Sequence, residues 1–270
     1  DVCSSDLCPC ILLQLIATGK PLSTAGMMIE DRTRTYTIAM ERTVVPENFS
    51  FRMTDEEYRV LEKIKNSIPV CYLADHADFA LGIVTGNNKK FLSAEKTENS
   101  EMVLKGTDIC KYHINPVKQY LRFEPEQFQQ VAPLEIYRAP EKLLYRFISN
   151  QLVVAYDDRQ MLSLNSCNIV IPKIDGMQIK YILAILNSSV SQFVYQKEFH
   201  SIKVLRAHME HIPIPRVGKA IQNEIIAMTE PLICGMGKEA AETCQKRLDC
   251  RIMDLFRFSA EEQWIIRHAL

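Results

Sequence analysis

The chain has 270 residues, which is enough for one large domain or two ordinary ones with a substantial apolar core. Hydrophobic residues make up 47% and charged residues 24%, proportions typical of a globular protein. The net charge of −1 at pH 7 excludes a generic polycation, and no apolar run approaches the roughly 18 residues that a membrane-spanning helix needs.

The nine cysteines are odd in number, and they form neither a C-x-x-C pair nor a Cys/His cluster with zinc-ligand spacing. Most lie in apolar runs, where a reduced thiol behaves as a small apolar side chain. We therefore expect no metal site and a reducing environment, which predicts a cytoplasmic protein.

The first 53 residues divide into two parts. Residues 1–7 (DVCSSDL) match the translation of a common sequencing adaptor, so we interpret them as an artefact and expect the natural protein to extend further N-terminally. Residues 8–53 contain a buried-strand run (CILLQLIA) and a segment that alternates with period two (TRTYTIAM). They predict a strand pair at the edge of a larger sheet.

Residues 54–69 predict an amphipathic linker helix between two bodies. Thr54 is a candidate N-cap, Glu57 completes a capping box, and Pro69 ends the helix. Four apolar residues share one face of this helix: Tyr58, Leu61, Ile64 and Ile68.

Residues 70–216 form the predicted main domain. Its patterns indicate, in order, a polar turn at 85–90, a short helix at 140–149, and a β-hairpin whose strands are 152–156 and 161–171. A helix over 178–196 follows, with Ile179, Ile182, Leu183, Leu186 and Phe193 facing inward. Residues 217–270 predict one or two C-terminal helices with a break at 234–237. The predicted fold class is therefore α+β, a mixed domain of short strands and amphipathic helices with a helical tail.

Charge is uneven along this chain. Residues 141–216 carry 9 basic and 6 acidic side chains and form the one positive block, whereas residues 1–70, 71–140 and 217–270 each carry a small negative charge. Lys197, His200, Lys203 and Arg206 follow the apolar helix in this block. A cationic edge on an apolar scaffold suits a phosphate backbone, although a solvated surface explains the small excess equally well.

Two polar segments are candidates for contacts to nucleic acid. The turn Thr85, Gly86, Asn87, Asn88, Lys89, Lys90 combines small residues with two cations and could grip a phosphate. An ordinary surface turn explains that segment better when it is taken alone. Asn165 and Ser166 could contact base edges, since asparagine pairs bidentately with adenine, but both residue types also end strands.

Aromatic and histidine side chains near the basic segment allow a further interpretation. Tyr195, Phe199 and His200 could stack on a base. Phe193 and Phe199 fit a core position more readily. His200, His208 and His211 are not spaced as a metal-ligand set.

A reaction centre has little support in the sequence. Asp157 and Asp158 could hold a metal or act as acid and base, so a hydrolase is one alternative, but a hairpin tip is the commoner place for such a pair. The motifs G-x-S-x-G, H-E-x-x-H and G-x-G-x-x-G do not occur. We therefore interpret the chain as a recognition or interaction module, with no predicted catalytic or cofactor-binding residue.

Six blocks of sequence resemble one known family. They are ALGIVTGNNKKFL (80–92), VLKGTDICKY (103–112), YLRF (120–123), APEKLLYRFISNQLVVAYDD (139–158), LNSCNIVIP (164–172) and ILAILNSSVSQFVYQKEFHSIKVLRAHMEHIPIP (182–215). In this order they resemble the TaqI-like C-terminal specificity domain, the target-recognition part of adenine-specific DNA methyltransferases and of fused type II restriction–methylation enzymes. The blocks cover roughly residues 73–216. Residues 8–53 look like the last strands of the methyltransferase sheet.

The resemblance implies double-stranded DNA as the partner, bound in the major groove while a companion domain flips an adenine out of the duplex. It also implies methyl transfer from S-adenosylmethionine by that N-terminal domain, which carries an N-P-P-Y-type motif and is fused to a nuclease in some members. This sequence has no such motif, so we expect no cofactor in this chain and S-adenosylmethionine in the full-length protein.

The predicted DNA-binding residues are Thr85, Gly86, Asn87, Asn88, Lys89, Lys90, Asn165, Ser166, Lys197, His200, Lys203 and Arg206. The alternative is a protein–protein adaptor or specificity subunit, because the segment 164–215 is also similar to type I specificity subunits.

Overall fold

The computed structural model describes residues 24–30, 34–40, 42, 52–199 and 201–269. Its contacts divide the chain into two compact units, Asp1–Asp55 and Glu56–Leu270. The presumed adaptor residues and the apolar run CILLQLIA lie outside the described residues. Within the described ranges, no helix is both long and apolar enough to cross a membrane.

The first unit contains a two-stranded antiparallel sheet. Strand β1 (Met28–Glu30) pairs with β2 (Thr35–Thr37), with Ile29 opposite Tyr36. The predicted strand in TRTYTIAM is thus confirmed, while its place in a larger sheet stays a prediction. A buried ion pair between Arg42 and Asp55, 2.8 Å long, also lies in this unit.

The second unit contains two four-stranded sheets and one strand pair. The first sheet is antiparallel in the order β4-β11-β8-β9, and the second has the order β10-β6-β7-β5. The strands are β3 (Val70–Cys71), β4 (Ala77–Ala80), β5 (Leu92–Ser93), β6 (Ser100–Leu104), β7 (Tyr120–Arg122), β8 (Lys142–Arg146), β9 (Val154–Asp157), β10 (Leu162–Ser163), β11 (Cys167–Pro172) and β12 (Ile214–Pro215). Strand β12 pairs with β3, which joins the two ends of this region.

The helices are α1 (Asp55–Asn66), α2 (Asn88–Phe91), α3 (Leu134–Tyr137), α4 (Ile179–Asn187), α5 (Ser189–Glu198), α6 (Arg206–Glu210), α7 (Lys219–Ile233), α8 (Lys238–Leu255) and α9 (Ala260–His268). Strands and helices together confirm the predicted α+β class. The helix predicted at 54–69 is also confirmed, while its role as a linker stays a prediction: it begins one residue after Thr54, and Leu61 and Ile64 are buried.

The core of the second unit lies between its two sheets. Leu144, Ala155 and Ile169 come from the first sheet, and Val103 and Leu121 come from the second. Helix α4 packs against strands β8 and β9 and is itself buried from Tyr181 to Asn187. The first sheet is therefore covered on both faces, which explains why its central strands are buried along most of their length.

The helix predicted at 140–149 is wrong, because strand β8 occupies that segment. Lys142, Leu143, Leu144 and Tyr145 are all buried. A strand buried on both faces shows no alternation, so its apolar run cannot be told from a buried helix by periodicity. Proline is favoured at the first turn of a helix, but Pro140 precedes the strand here.

The predicted β-hairpin is wrong in its pairing. Its first strand corresponds to β9, but its second strand, 161–171, is divided into β10 and β11, which lie in different sheets. Strand β9 pairs with β8, with Leu144 opposite Ala155, and β11 lies on the other side of β8. Strand β10 pairs in parallel with β6 in the second sheet. The carboxylate of Asp157 accepts hydrogen bonds from the backbone of Arg159 and Met161, which turns the chain between β9 and β10.

The single helix predicted over 178–196 is two helices, α4 and α5, separated at Ser188. Ser188 has ψ of 158°, and its hydroxyl accepts from the Ser191 backbone as the N-cap of α5. Apolar residues continue across the break, so periodicity alone conceals it. Of the predicted inward residues, Ile182, Leu183, Leu186 and Phe193 are buried and Ile179 is half-buried.

Three helices form the C-terminal tail within the described residues, where one or two were predicted. The predicted break is confirmed, and Gly235 adopts a φ of 78° there. Helices α7 and α8 pack on α4 and α5, so the tail belongs to the same compact unit as the sheets.

Candidate nucleic-acid interface

The turn at 85–90 is fixed by its own polar side chains. The hydroxyl of buried Thr85 donates to the Asn88 side-chain oxygen at 2.6 Å, and Gly86 adopts a φ of 77°. The Asn87 side chain accepts from the Lys90 backbone at 3.2 Å and caps the one-turn helix α2. The side-chain oxygens of Asn87 and Asn88 thus both accept hydrogen bonds within the turn, while residues 86–90 are exposed.

The two lysines of this turn differ in their surroundings. The Lys90 ammonium lies 3.4 Å from the Gln127 side-chain oxygen and 4.6 Å from the centre of the Phe91 ring. In the part of the chain that the structure describes, the exposed Lys89 side chain makes no hydrogen bond or ion pair. Lys89 is therefore the more available of the two cations.

Gly82 has a packing role near this turn. A Cβ atom at this position would lie 2.2 Å from the Leu164 carbonyl oxygen and 2.8 Å from the Cys167 carbonyl oxygen. Gly106 is placed similarly, since its Cβ would lie 2.5 Å from the Ser166 carbonyl oxygen. Because neither glycine carries a side chain, the turn at 164–167 can pack closely against the backbone at Gly82 and at Gly106.

This turn carries two of the predicted contact residues. Asn165 is exposed, and its backbone N–H donates to the Ile83 carbonyl at 3.1 Å. The Ser166 hydroxyl accepts from the Gly106 N–H at 3.0 Å, so it is engaged within the fold. The turn therefore offers the Asn165 side chain outward and holds itself in place with Ser166.

The same turn connects to the basic segment through backbone hydrogen bonds. The Phe147 N–H donates to the Ser166 carbonyl at 3.0 Å, and the Val204 N–H donates to the Phe147 carbonyl at 2.8 Å. Residues 147–149 and 202–204 thus form a short antiparallel ribbon, with Ile148 opposite Lys203. The fold brings Asn165, Ser166 and Lys203 together along one hydrogen-bonded edge, and the turn at 85–90 begins two residues after Ile83.

Arg206 follows the ribbon at the start of α6. Its side chain is 62% exposed, pairs with Glu210 at 2.7 Å and lies over the Phe79 ring at 5.2 Å. The guanidinium keeps free donors beside that ion pair, because only its Nε bonds to Glu210. Within the described ranges the exposed Lys203 side chain makes no hydrogen bond or ion pair.

One predicted residue is not available at this edge, and a second is not among the described residues. Lys197 pairs with Glu57 at 2.9 Å, and its side chain is only 11% exposed. Its charge is thus balanced inside the second unit, which argues against the predicted contact of Lys197 with a phosphate. His200 lies outside the described residues.

The aromatic residues near the edge support the ribbon. Tyr195 is fully buried, and its hydroxyl donates to the Ser201 carbonyl at 2.8 Å, so it cannot stack on a base. Phe199 stacks on His208 with ring centres 4.6 Å apart. Burial lowers the pKa of His208, whose Nδ1 accepts from the Leu205 backbone. These contacts hold the segment that leads into α6.

Asp157 is structural. Its side chain is fully buried, forms an ion pair with the fully buried Lys142, and also accepts from the backbone of Arg159 and Met161. Burial lowers the pKa of Lys142, and the charge of Asp157 opposes that effect. Asp158 is exposed beside it, so the two carboxylates face different surroundings. Among the described residues no three metal-ligating side chains gather in one place.

Sequence reasoning missed four exposed side chains of the ribbon and the loop after β8: Ile148, Asn150, Gln151 and Ile202. The amide pair directly follows the segment 140–149, which was assigned to a helix, and precedes the predicted strand at 152–156. The tripeptide Ser149-Asn150-Gln151 between two apolar runs is a turn signal that could have revealed this loop.

Comparisons with known proteins bear on this edge. No curated protein matches the chain. Similar solved structures include a type I restriction–modification assembly (14% identity, TM-score 0.42, covering 80% of this chain and 51% of that chain). Another is the type IIL restriction–modification enzyme MmeI in complex with DNA (11% identity, TM-score 0.48, covering 70% and 34%). A third is the HsdS subunit from Thermoanaerobacter tengcongensis (16% identity, TM-score 0.40, covering 80% and 50%).

The chain spans between about a third and a half of the length of each of these three chains. A family model described as the TaqI-like C-terminal specificity domain matches residues 101–214. That range includes strands β6 to β11, the ribbon and the turn at 164–167, whereas the turn at 85–90 precedes it. Residues 101–214 therefore carry a TaqI-like C-terminal specificity domain, which confirms the resemblance for that part of the chain.

Proposed function

We propose that this chain recognises a specific sequence in double-stranded DNA as the target-recognition part of a restriction–modification system. The observation that carries the proposal is the specificity-domain match over residues 101–214. The ribbon and the turn at 164–167 both lie inside that range, and they supply an exposed edge with cationic and amide side chains.

The charges along this edge support a phosphate-binding role. Lys89, Lys90, Lys203 and Arg206 are exposed, and Lys203 makes no ion pair in the part of the chain that the structure describes. Such cations position a protein on a duplex and make its affinity depend on salt. The exposed amides of Asn87, Asn88 and Asn165 are the proposed base-edge contacts. Asn165 can both donate and accept in the major groove, whereas Asn87 and Asn88, whose oxygens accept within the turn, would contribute their N–H donors.

The chemistry associated with such recognition is proposed to lie on another domain or subunit. The sequence has neither an N-P-P-Y motif nor a G-x-G-x-x-G loop. The resemblance supports adenine-N6 methylation with S-adenosylmethionine by a methyltransferase domain, with or without a fused nuclease as in type II enzymes. It also supports a cytoplasmic location, where the DNA is found.

A salt series tests the proposal. Duplexes bound by the chain are first selected from a randomised pool, and affinity for them is measured from about 50 to 200 mM salt. Each lost phosphate contact should weaken binding and flatten the slope of log affinity against log salt by about one unit. We expect this for Lys203→Ala and, to the same extent, for Lys89→Ala.

The matched control is Lys238→Ala, an exposed lysine at the start of α8 in the helical tail, which should leave the slope unchanged. Equal slopes in all variants would contradict the phosphate role. Failure of the parent chain to select any duplex would contradict DNA recognition and favour the alternative, a protein–protein adaptor.

A further inference from the structure

The ribbon presents two large apolar side chains to solvent. Ile148 is 62% exposed and Ile202 is 71% exposed, although isoleucine is among the residues most often fully buried. They lie on adjoining segments, since the Ser149 N–H donates to the Ile202 carbonyl at 2.9 Å. Each of these two exposed side chains is therefore a separate candidate for contact with another molecule.

The hydrogen-bond pattern fixes which side chains share a face. Bonds from Ser149 to Ile202 and from Val204 to Phe147 flank the pair Ile148 and Lys203. This is the non-hydrogen-bonded type of antiparallel pair, in which opposite side chains approach most closely on one face. Ile202, adjacent to Lys203 along an extended segment, projects to the other face.

Contacts with neighbouring segments of the second unit hold the ribbon in place. Val204 is 1% exposed, and the backbone of Phe147 bonds to the turn at 164–167. The Tyr195 hydroxyl fixes Ser201 at the beginning of the second segment. Ile148 is also β-branched and therefore has few rotamers to lose on binding. Its position is thus set before any partner arrives, which favours a specific contact.

The composition around the ribbon selects the partner. Residues 147–151 and 201–206 contain no Asp or Glu, and they include Lys203, Arg206 and the exposed amides of Asn150 and Gln151. Cations, amides and apolar groups together match the groove of a duplex, where phosphates border base edges. The major groove admits a two-stranded β-ribbon, and its one apolar feature is the 5-methyl group of thymine.

We propose that the ribbon enters the major groove of the target and that Ile148 contacts the 5-methyl group of a thymine, while Lys203 on the same face contacts the neighbouring backbone. The inference rests on the proposed function and deepens it, because it names a residue that determines specificity. Ile148 thus selects an A·T pair at one position of the site.

The experiment uses the whole chain and the duplexes selected in the salt experiment. Each thymine of the selected site is replaced in turn by deoxyuridine, which removes only the 5-methyl group. Burying one such group against an apolar side chain corresponds to about fourfold in affinity. The parent should bind one of the substituted duplexes about fourfold more weakly.

Ile148→Ala should lose affinity for the thymine duplex and bind the thymine and deoxyuridine duplexes equally. Ile202→Ala is the matched control, with the same change on the opposite face, and should keep the parent's discrimination. Ile148→Val, which retains the branched β-carbon, should keep most of it and guards against a folding defect in the alanine variant.

Three outcomes would overturn the inference: a selected site without an A·T pair, a parent insensitive to every deoxyuridine, or an Ile148→Ala variant that still discriminates. In each case the chain still selects a duplex, so the proposed function stands. If the parent selects no duplex at all, both the proposed function and the inference fail.

Discussion

Adjacent aspartates at 157 and 158 show how burial separates two identical side chains. Asp157 is enclosed with Lys142 and two backbone donors, whereas Asp158 faces solvent. A buried ion pair gains little over an apolar pair of the same volume, but removing one partner leaves a charge without compensation. The pair of aspartates is therefore one structural residue and one surface residue.

This difference gives a prediction for stability. Asp157→Ala should lower the free energy of unfolding by about 3–5 kcal/mol, because it strands the Lys142 ammonium and two backbone N–H groups. Asp158→Ala should change it by no more than about 0.5 kcal/mol. Urea denaturation followed by circular dichroism measures both values. Equal losses would contradict the assignment, and metal-dependent cleavage that depends on Asp157 would revive the hydrolase alternative.

At the residue scale, sequence reasoning identified the exposed cations but not their partners. Lys89 and Lys203 are exposed as expected, while Lys197 is paired with Glu57, which is 140 positions away in the sequence. Helical periodicity placed Lys197 near the end of an apolar helix and gave no information on which helix would pack there. Long-range ion pairs are decided by the assembled fold.

At the scale of elements, the candidate interface depends on one turn. Residues 164–167 fit between Gly82 and Gly106 because neither carries a side chain. This turn also holds the ribbon, through the hydrogen bond that the Phe147 N–H donates to the Ser166 carbonyl. A glycine in the first block of the resemblance thus positions a base-contact candidate that lies more than 80 residues later.

Gly82→Ala tests this packing. The added methyl group would overlap two backbone carbonyls, so the turn must move, at a cost of about 1–3 kcal/mol. We expect reduced thermal stability together with weaker duplex binding, measured on the same preparation. Gly218→Ala is the control, since a Cβ there meets nothing within 4 Å, and it should cost less than about 1 kcal/mol. Undiminished duplex affinity in Gly82→Ala would separate the turn from recognition.

Elements with one buried face were predicted better than elements buried on both. Helix α1 and the tail break follow from amphipathic periodicity and glycine, and the presence of both is confirmed. Strand β8 has no exposed face, so the same rules assigned a helix to it. The break at Ser188 was not predicted for the same reason. Helices α4 and α5 are both buried, so the apolar run continues across the N-cap.

At the scale of the whole molecule, the helical tail is part of the second unit. Gln222 on α7 accepts from the Gln178 backbone at the start of α4, and Asp249 on α8 accepts from the Ser189 backbone at 2.8 Å. Ile225 and Ile252 on the tail are fully buried. Burial beneath the tail also lowers the pKa of Lys111, which bonds to the Asn187 carbonyl.

Deletion of residues 217–270 should therefore remove more than a docking surface. It uncovers the apolar face of α4, so we expect loss of cooperative thermal unfolding and strong binding of an apolar dye. Trp264→Ala is the control, because that side chain is 59% exposed and its loss should leave the unfolding transition cooperative. A truncated chain that still unfolds cooperatively at the parent's temperature would show that the tail is a separate body.

The sequence by itself determined the α+β class, the amphipathic helices, the positions of strands β2, β9, β10 and β11, and the family resemblance of residues 101–214, because these depend on local periodicity and on ordered motif blocks. Only the tertiary structure decided strand partners, the burial of Asp157 and Lys197, and the alignment of Asn165 with the ribbon. Those features depend on contacts between residues far apart in the chain, which local pattern does not encode. Ile148 illustrates the division: its apolar side chain favours a core position, and the fold alone places it in solvent beside Lys203.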